Sequence, residues 1–137
     1  MSTTEPEAVV ELSIPARPEY VGVARLAILG VASRMRFSYD EVEDIRLAVG
    51  EACTGVLDRG EGLPEAPPII IRCLVHPDRL TVEVRDATPG GPADPASAGD
   101  DFQLGGVLIR ILMDEVTSEE DPALGQQVVR MVKYVAR

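Results

Sequence analysis

Positive charge is scarce in this chain. Thirteen Lys and Arg residues stand against 23 Asp and Glu, a net charge of −10 with a pI near 4.5. Such a field repels phosphate backbones and anionic lipid, so the charge balance argues against direct binding to nucleic acid or a membrane surface and favours a basic protein partner. Cysteine is scarce too. Cys53 and Cys73 do not make a disulfide scaffold, and a reducing cytoplasm is the expected setting. No apolar run approaches a membrane span, and the stretch Met1 to Ala8 is polar and acidic rather than a signal peptide. Histidine occurs once, at His76, where Pro77 and Asp78 mark a turn. No Cys or His cluster has metal-ligand spacing, so the expected metal-ligand set is empty. Tryptophan is absent, but the composition is otherwise that of an ordinary globular domain, 45% hydrophobic and 26% charged. At 137 residues the chain has room for one core and none for a two-lobed kinase. A chain of this length buries roughly 65–70% of its unfolded surface.

Residues 1–8 read as a loose tail before a single domain over 9–137. Val9 to Ile14 alternates as a short strand, closed by Pro15 and Pro18. From Glu19 to about Met35, the residues Tyr20, Ala24, Ala27, Ile28, Val31 and Met35 recur at helical spacing. Val23, Leu26 and Gly30 form a second stripe, and Arg25 sits between the two. A helix apolar on two sides lies deep in a core or meets a partner. Ser38 and Glu41 form a capping box for a helix from Tyr39 to about Leu57, whose buried face is Val42, Ile45, Val49, Ala52 and Val56. Ile69–Val75 and Leu80–Arg85 flank a turn and read as a hairpin, and Ala87 to Asp101 reads as a surface loop. A short helix over Val107–Met113, a strand start at Glu115–Ser118 and a β-rich run over Gln126–Val135 complete the chain. The order β-α-α-β-β-α-β-β predicts an α+β two-layer sandwich, a mostly antiparallel mixed sheet with helices on one face.

Catalytic groups are few. The loop Thr88-Pro89-Gly90-Gly91 lacks the lysine and hydroxyl of a P-loop. Cys53 and Cys73 read as small buried residues, with no cationic sequence neighbour to activate them. Glu51 falls one position before Ala52 of the buried stripe, at the edge of the apolar face, and reads either as a solvated helix-edge residue or as a carboxylate facing a cleft. Asp86 follows a strand and opens a glycine-bearing loop, a place for a ligand-holding carboxylate and equally for a turn-former.

The segments Ile14 to Gly22 (IPARPEYVG), Gly30 to Met35 (GVASRM), Tyr39 to Thr54 (YDEVEDIRLAVGEACT) and Leu112 to Val116 (LMDEV) resemble bacterial anti-sigma factors of the RsbW/SpoIIAB type. The resemblance covers the folded chain in order. It implies the Bergerat sandwich of the GHKL ATPases, and a typically homodimeric protein that binds a sigma factor. It further implies phosphorylation, with ATP and Mg²⁺, of a serine on a STAS-domain anti-anti-sigma antagonist. Carried over residue by residue, Glu51 matches the N-box general base, which takes the serine hydroxyl proton as phosphate transfers. Asp86 matches the carboxylate that accepts the adenine amine, and Gly90 a glycine of the same loop. Gly105 matches one glycine of the later glycine-rich box, and Arg25 an arginine that contacts sigma factor and antagonist.

Several positions depart from that pattern. Gly55 stands where the family's Mg²⁺-binding asparagine belongs, and offers no side-chain oxygen. Thr88 replaces the first glycine of the adenine loop, Phe102 and Gln103 replace glycines of the later box, and Gln126-Gln127 lie near the place of a supporting threonine. The segment Ala87 to Leu104 carries no Lys or Arg to grip a phosphate. Two readings follow: a binding regulator whose kinase function has decayed, and a serine kinase working through altered ligands. On either, an acidic surface suits a basic, DNA-binding sigma factor.

Overall fold

Ser38 starts the longest helix with reciprocal bonds: its Oγ accepts from Glu41 N at 3.1 Å, and its own N donates to Glu41 Oε1 at 2.8 Å. Two otherwise orphaned donors are satisfied, which fixes the helix start. The structure, a computed structural model, describes residues 5–89 and 99–136. Among them the order is β1 (Ala8–Ile14), α1 (Val21–Ala32), α2 (Tyr39–Arg59), β2 (Ile69–Val75), β3 (Arg79–Asp86), α3 (Gly99–Leu112), β4 (Glu115–Asp121) and β5 (Gln126–Tyr134). A 3-10 turn over Pro18–Tyr20 precedes α1, so this helix is shorter at both ends than its apolar spacing predicts. The third helix is longer than expected. It starts at Gly99, inside the stretch whose Gly, Pro, Ser and Asp content predicts a loop up to Asp101.

The sheet runs β1-β2-β3-β5-β4, and all four pairings are antiparallel. The expected α+β sandwich is therefore present, with no parallel pair among the described strands. Ile71, Cys73, Val82, Val84 and Met131 face the helices and join Ala24, Ile28, Ile45, Val49, Ala52 and Val56 in one core. Ile28, Ile45 and Ile71 are among its largest fully buried side chains, each worth about 1.5–3 kcal/mol of hydrophobic transfer. On β5 Lys133 Nζ donates to Leu112 O at 2.7 Å, placing a cation on the last turn of α3, and it pairs with Asp44 of α2 at 3.6 Å.

The opposite face of the sheet is charged. Register sets Glu11, Arg72, Glu83 and Arg130 side by side across four strands, acid alternating with base. Glu83 is 4% exposed at the centre of this row. Its Oε2 accepts from Arg130 Nη2 at 2.9 Å and its Oε1 from Arg85 Nη2 at 3.0 Å, while Arg72 lies 3.7 Å away. Burial pushes the Glu83 carboxyl's pKa up, but hydrogen bonds and charge from Arg130 and Arg85 outweigh it, leaving it below the ordinary 4.5.

Replacing Glu83 with Ala leaves guanidinium groups facing one another and is expected to cost about 3 kcal/mol in urea unfolding, the low end for a broken buried pair because Arg72 and Arg130 keep contact with water. Because the folded-state pKa is the depressed one, wild-type stability from this cluster is fully present above pH 4.5 and is lost as pH falls below it. A Glu83→Ala variant as stable as wild type at pH 7 contradicts this account.

Candidate functional site

Glu51, Gly55 and Arg59 follow one another at four-residue steps along α2, so they lie on one side of the helix, and all three are half-buried. Packing of Ala52, Cys53 and Val56 into the core fixes the direction in which this side looks. Asp86 ends β3 on the helix-facing side of the sheet and is 5% exposed. Arg59 bridges the two elements, with Nε donating to Asp86 Oδ2 at 2.6 Å. The other carboxylate oxygen, Oδ1, accepts from Thr88 N at 2.9 Å and also from Thr88 Oγ1. Both oxygens of Asp86 are thus engaged by the chain itself.

Gly55 lies beside the same arginine: a Cβ built on it would stand 3.7 Å from Arg59 Nη1. No side-chain oxygen is available at this position. The Glu51 carboxylate makes no hydrogen bond or ion pair among the described residues. Gln127 pairs with Asp86 across β3 and β5, while Gln126 Oε1 turns to the charged face and accepts from Arg85 Nη1 at 3.2 Å. Gly105 falls inside α3 together with positions 102 and 103, so its backbone N–H belongs to the helical ladder. Gly90 lies outside the described residues.

Arg25 occupies a different place, between α1 and α2. Its guanidinium rests on Gly50, where a Cβ would come within 2.7 Å of both Nε and Nη2. The Nε is buried and meets no acceptor among the described residues. The same charge reaches Cys53, an approach that sequence neighbours do not reveal; burial nevertheless dominates and pushes the Cys53 thiol up to about 12. Cys73, buried in β2, is pushed to about 11. Neither thiol is an activated nucleophile. Val23 and Leu26 are 43% and 65% exposed and Gly30 is exposed too, so the second stripe of this helix faces solvent, with Leu29 beside it 37% exposed.

An open cleft of about 730 Å³ lies at the other end of β3 from Asp86, lined by Arg34, Met35, Arg36, His76 and Asp78 among others. Of the residues singled out from the sequence it includes His76 and Met35, but none of Arg25, Glu51, Asp86, Gly90 and Gly105. His76 sits at the hairpin turn as expected, but it is buried, and its N–H donates to Arg79 O at 3.0 Å. Among the described residues no group of three or more His, Cys, Asp or Glu is arranged to hold a metal, and no helix is long and apolar enough to cross a membrane.

Residues 14–133 match the family of histidine kinase-like ATPase domains. The serine-protein kinase RsbW of Bacillus subtilis is 37% identical over 139 residues, covering 92% of this chain and 85% of that protein. The serine-protein kinase RsbW of Halalkalibacterium halodurans is 34% identical over 150 residues, covering 100% of this chain and 89% of its own. The chain belongs to the RsbW family. The RsbU and RsbW domains of a Mycobacterium tuberculosis protein have a solved structure that covers 93% of this chain with a TM-score of 0.69. At 12% identity that likeness is one of fold, and the RsbW-family chain spans 32% of that longer chain. Membership of an ATPase family implies ATP binding.

Sequence reasoning singles out Glu51, Gly55, Asp86 and Thr88 but misses Arg59. The signal was present: an arginine four residues beyond Gly55 lies on the same side of α2. Gly50 was also missed, and its lack of a side chain is what admits Arg25. Replacing Gly50 with Ala is expected to change stability by less than about 1 kcal/mol, because better helix propensity offsets the shift of a flexible side chain. In the same variant the Arg25 Nε–H should lose its protection from solvent exchange in NMR spectra. An Nε–H that stays protected contradicts the assigned packing.

Proposed function

We propose that the chain is an anti-sigma regulatory factor that binds and sequesters an RNA polymerase sigma factor, is countered by a STAS-domain antagonist, and works without transferring phosphate. The observation that carries this reading is Gly55 beside Arg59. A magnesium ion needs oxygen ligands, and this position supplies none, with a guanidinium in its place. The residues present therefore do not fit a magnesium nucleotide held in the family's manner. Asp86 is also engaged within the chain, with Arg59 on Oδ2, the oxygen an adenine amine would have to share.

Partner binding rests on other residues. Arg25 and the exposed Val23, Leu26 and Leu29 share α1 and owe nothing to the nucleotide positions on α2 and β3. An apolar stripe with a half-buried arginine at its margin suits a protein partner, and the net charge of −10 suits a basic one. This reading keeps the expected homodimer and the cytoplasmic setting.

A second reading, an ATP-dependent serine kinase acting on the antagonist, is favoured by one observation. Glu51 is retained on the correct side of α2 with no ion pair among the described residues to hold it back from a proton-accepting role.

One assay separates the two. With labelled Mg-ATP, a sigma factor and a STAS-domain protein from the same host, the expected result is capture of the sigma factor with no label on the STAS serine. Arg25→Ala is expected to weaken capture at least tenfold while leaving the far-UV circular dichroism unchanged. Label on the STAS protein would establish the kinase reading instead.

A further inference from the structure

We infer that Arg59 is a built-in latch on this site: its ion pair with Asp86 holds the acceptor carboxylate closed to an adenine amine, and removing the arginine opens it. The inference rests on the family match of Asp86 to the adenine position, and it goes beyond the missing magnesium ligand. Loss of an oxygen at Gly55 removes a metal contact. The latch removes a base contact by a different physical route.

Three features carry it. Asp86 is a buried carboxylate, and a buried carboxylate needs hydrogen-bond partners. Here each oxygen has a donor without any ligand: Arg59 Nε donates to Oδ2 at 2.6 Å, and Thr88 donates to Oδ1 through its backbone N at 2.9 Å and through its hydroxyl. An exocyclic amine is a neutral donor, and a charge-assisted bond from a guanidinium is roughly twice as strong as one from a neutral donor. In direct competition for Oδ2 the arginine wins.

The second feature is the mounting of the latch. Arg59 is in the last turn of α2, a helix held by the core through Val49, Ala52, Cys53 and Val56, and its side chain is 22% exposed. Part of the ordering entropy of the pair is therefore met by packing that exists in any case. The third feature is Gly55. A Cβ built there would already be in ordinary contact with Arg59 Nη1 at 3.7 Å, so a longer side chain at this position would have to share space with the guanidinium. The substitution that removes the metal ligand also clears the path of the arginine.

The latch makes a prediction of unusual sign. A nucleoside triphosphate is a polyanion, so deleting an arginine beside its site ordinarily weakens binding. If Arg59 instead blocks the base acceptor, deleting it strengthens binding. Titration calorimetry of the full chain with ATP, in EDTA and separately in Mg²⁺, provides the readout. Arg59→Met is expected to bind ATP at least tenfold more tightly than wild type under both conditions, with GTP showing no such gain because guanine presents a carbonyl where adenine has its amine. In the double variant Arg59→Met/Asp86→Asn the gain for ATP is expected to disappear. Should Arg59→Met melt below the assay temperature, Arg59→Gln carries the same expectation.

A gain smaller than tenfold, or an equal gain for GTP, overturns the latch. The proposed regulator is judged separately, by label transfer. A wild-type chain that transfers phosphate refutes the regulator reading whatever Arg59→Met does. A chain inert in transfer with no gain in Arg59→Met leaves that reading standing and removes the latch.

Discussion

Everything at the candidate site depends on how α2 is seated on the sheet. Ile45, Val49, Ala52, Cys53 and Val56 bury one side of the helix, and the capping box at Ser38 fixes where it begins. With start and buried face set, helical geometry leaves no freedom in where Glu51, Gly55 and Arg59 look. They form a single line that ends at Asp86 of β3, reached by the Arg59 side chain. The same packing brings Gly50 to α1, where Arg25 lies across it. One hydrophobic contact thus positions both the nucleotide-matching residues and the arginine expected to meet a partner. The two sets stand on different sides of the helix, so changes to one need not disturb the other.

That separation gives the substitutions a physical logic. A kinase site requires metal, phosphate and base contacts to coexist, and each is a polar arrangement that stabilises nothing until ligand arrives. Arg59 paired with Asp86 has the opposite character. It neutralises a buried carboxylate in the free protein, where an unpaired one would be costly. A chain that keeps its fold while giving up nucleotide chemistry would be expected to drift toward such internal pairing.

Much of this was legible in the sequence. Val42, Ile45, Val49, Ala52 and Val56, five of the eight buried positions of α2, follow from apolar residues at alternating steps of three and four, and the helix start from Ser38 and Glu41. The sandwich follows from the order of elements and turns. Two features were harder to read. Gly99 to Asp101 closes a stretch of loop composition, yet the helix begins at Gly99, an instance of tertiary context overriding local propensity. The charged row Glu11, Arg72, Glu83, Arg130 is invisible along the chain, because it exists only once antiparallel register brings four strands together. Glu83, at the centre of that row, is buried among the arginines around it. Arg59 escaped for the same reason: its partner is 27 residues away and on another element. Positions near Glu51 and Asp86 could be found by matching a family pattern, but the side chain joining them had no place in that pattern.

The central claim is that partner binding in this chain has been separated from nucleotide chemistry. Its most direct test is the affinity of the purified, nucleotide-free chain for the proposed sigma-factor partner, measured in EDTA and again with saturating Mg-ATP or Mg-ADP. The account predicts the same dissociation constant, within about twofold, under all three conditions. A tenfold or larger dependence on which nucleotide is present would contradict it, because coupling of that size requires the nucleotide to bind differently in the free and the sigma-bound states.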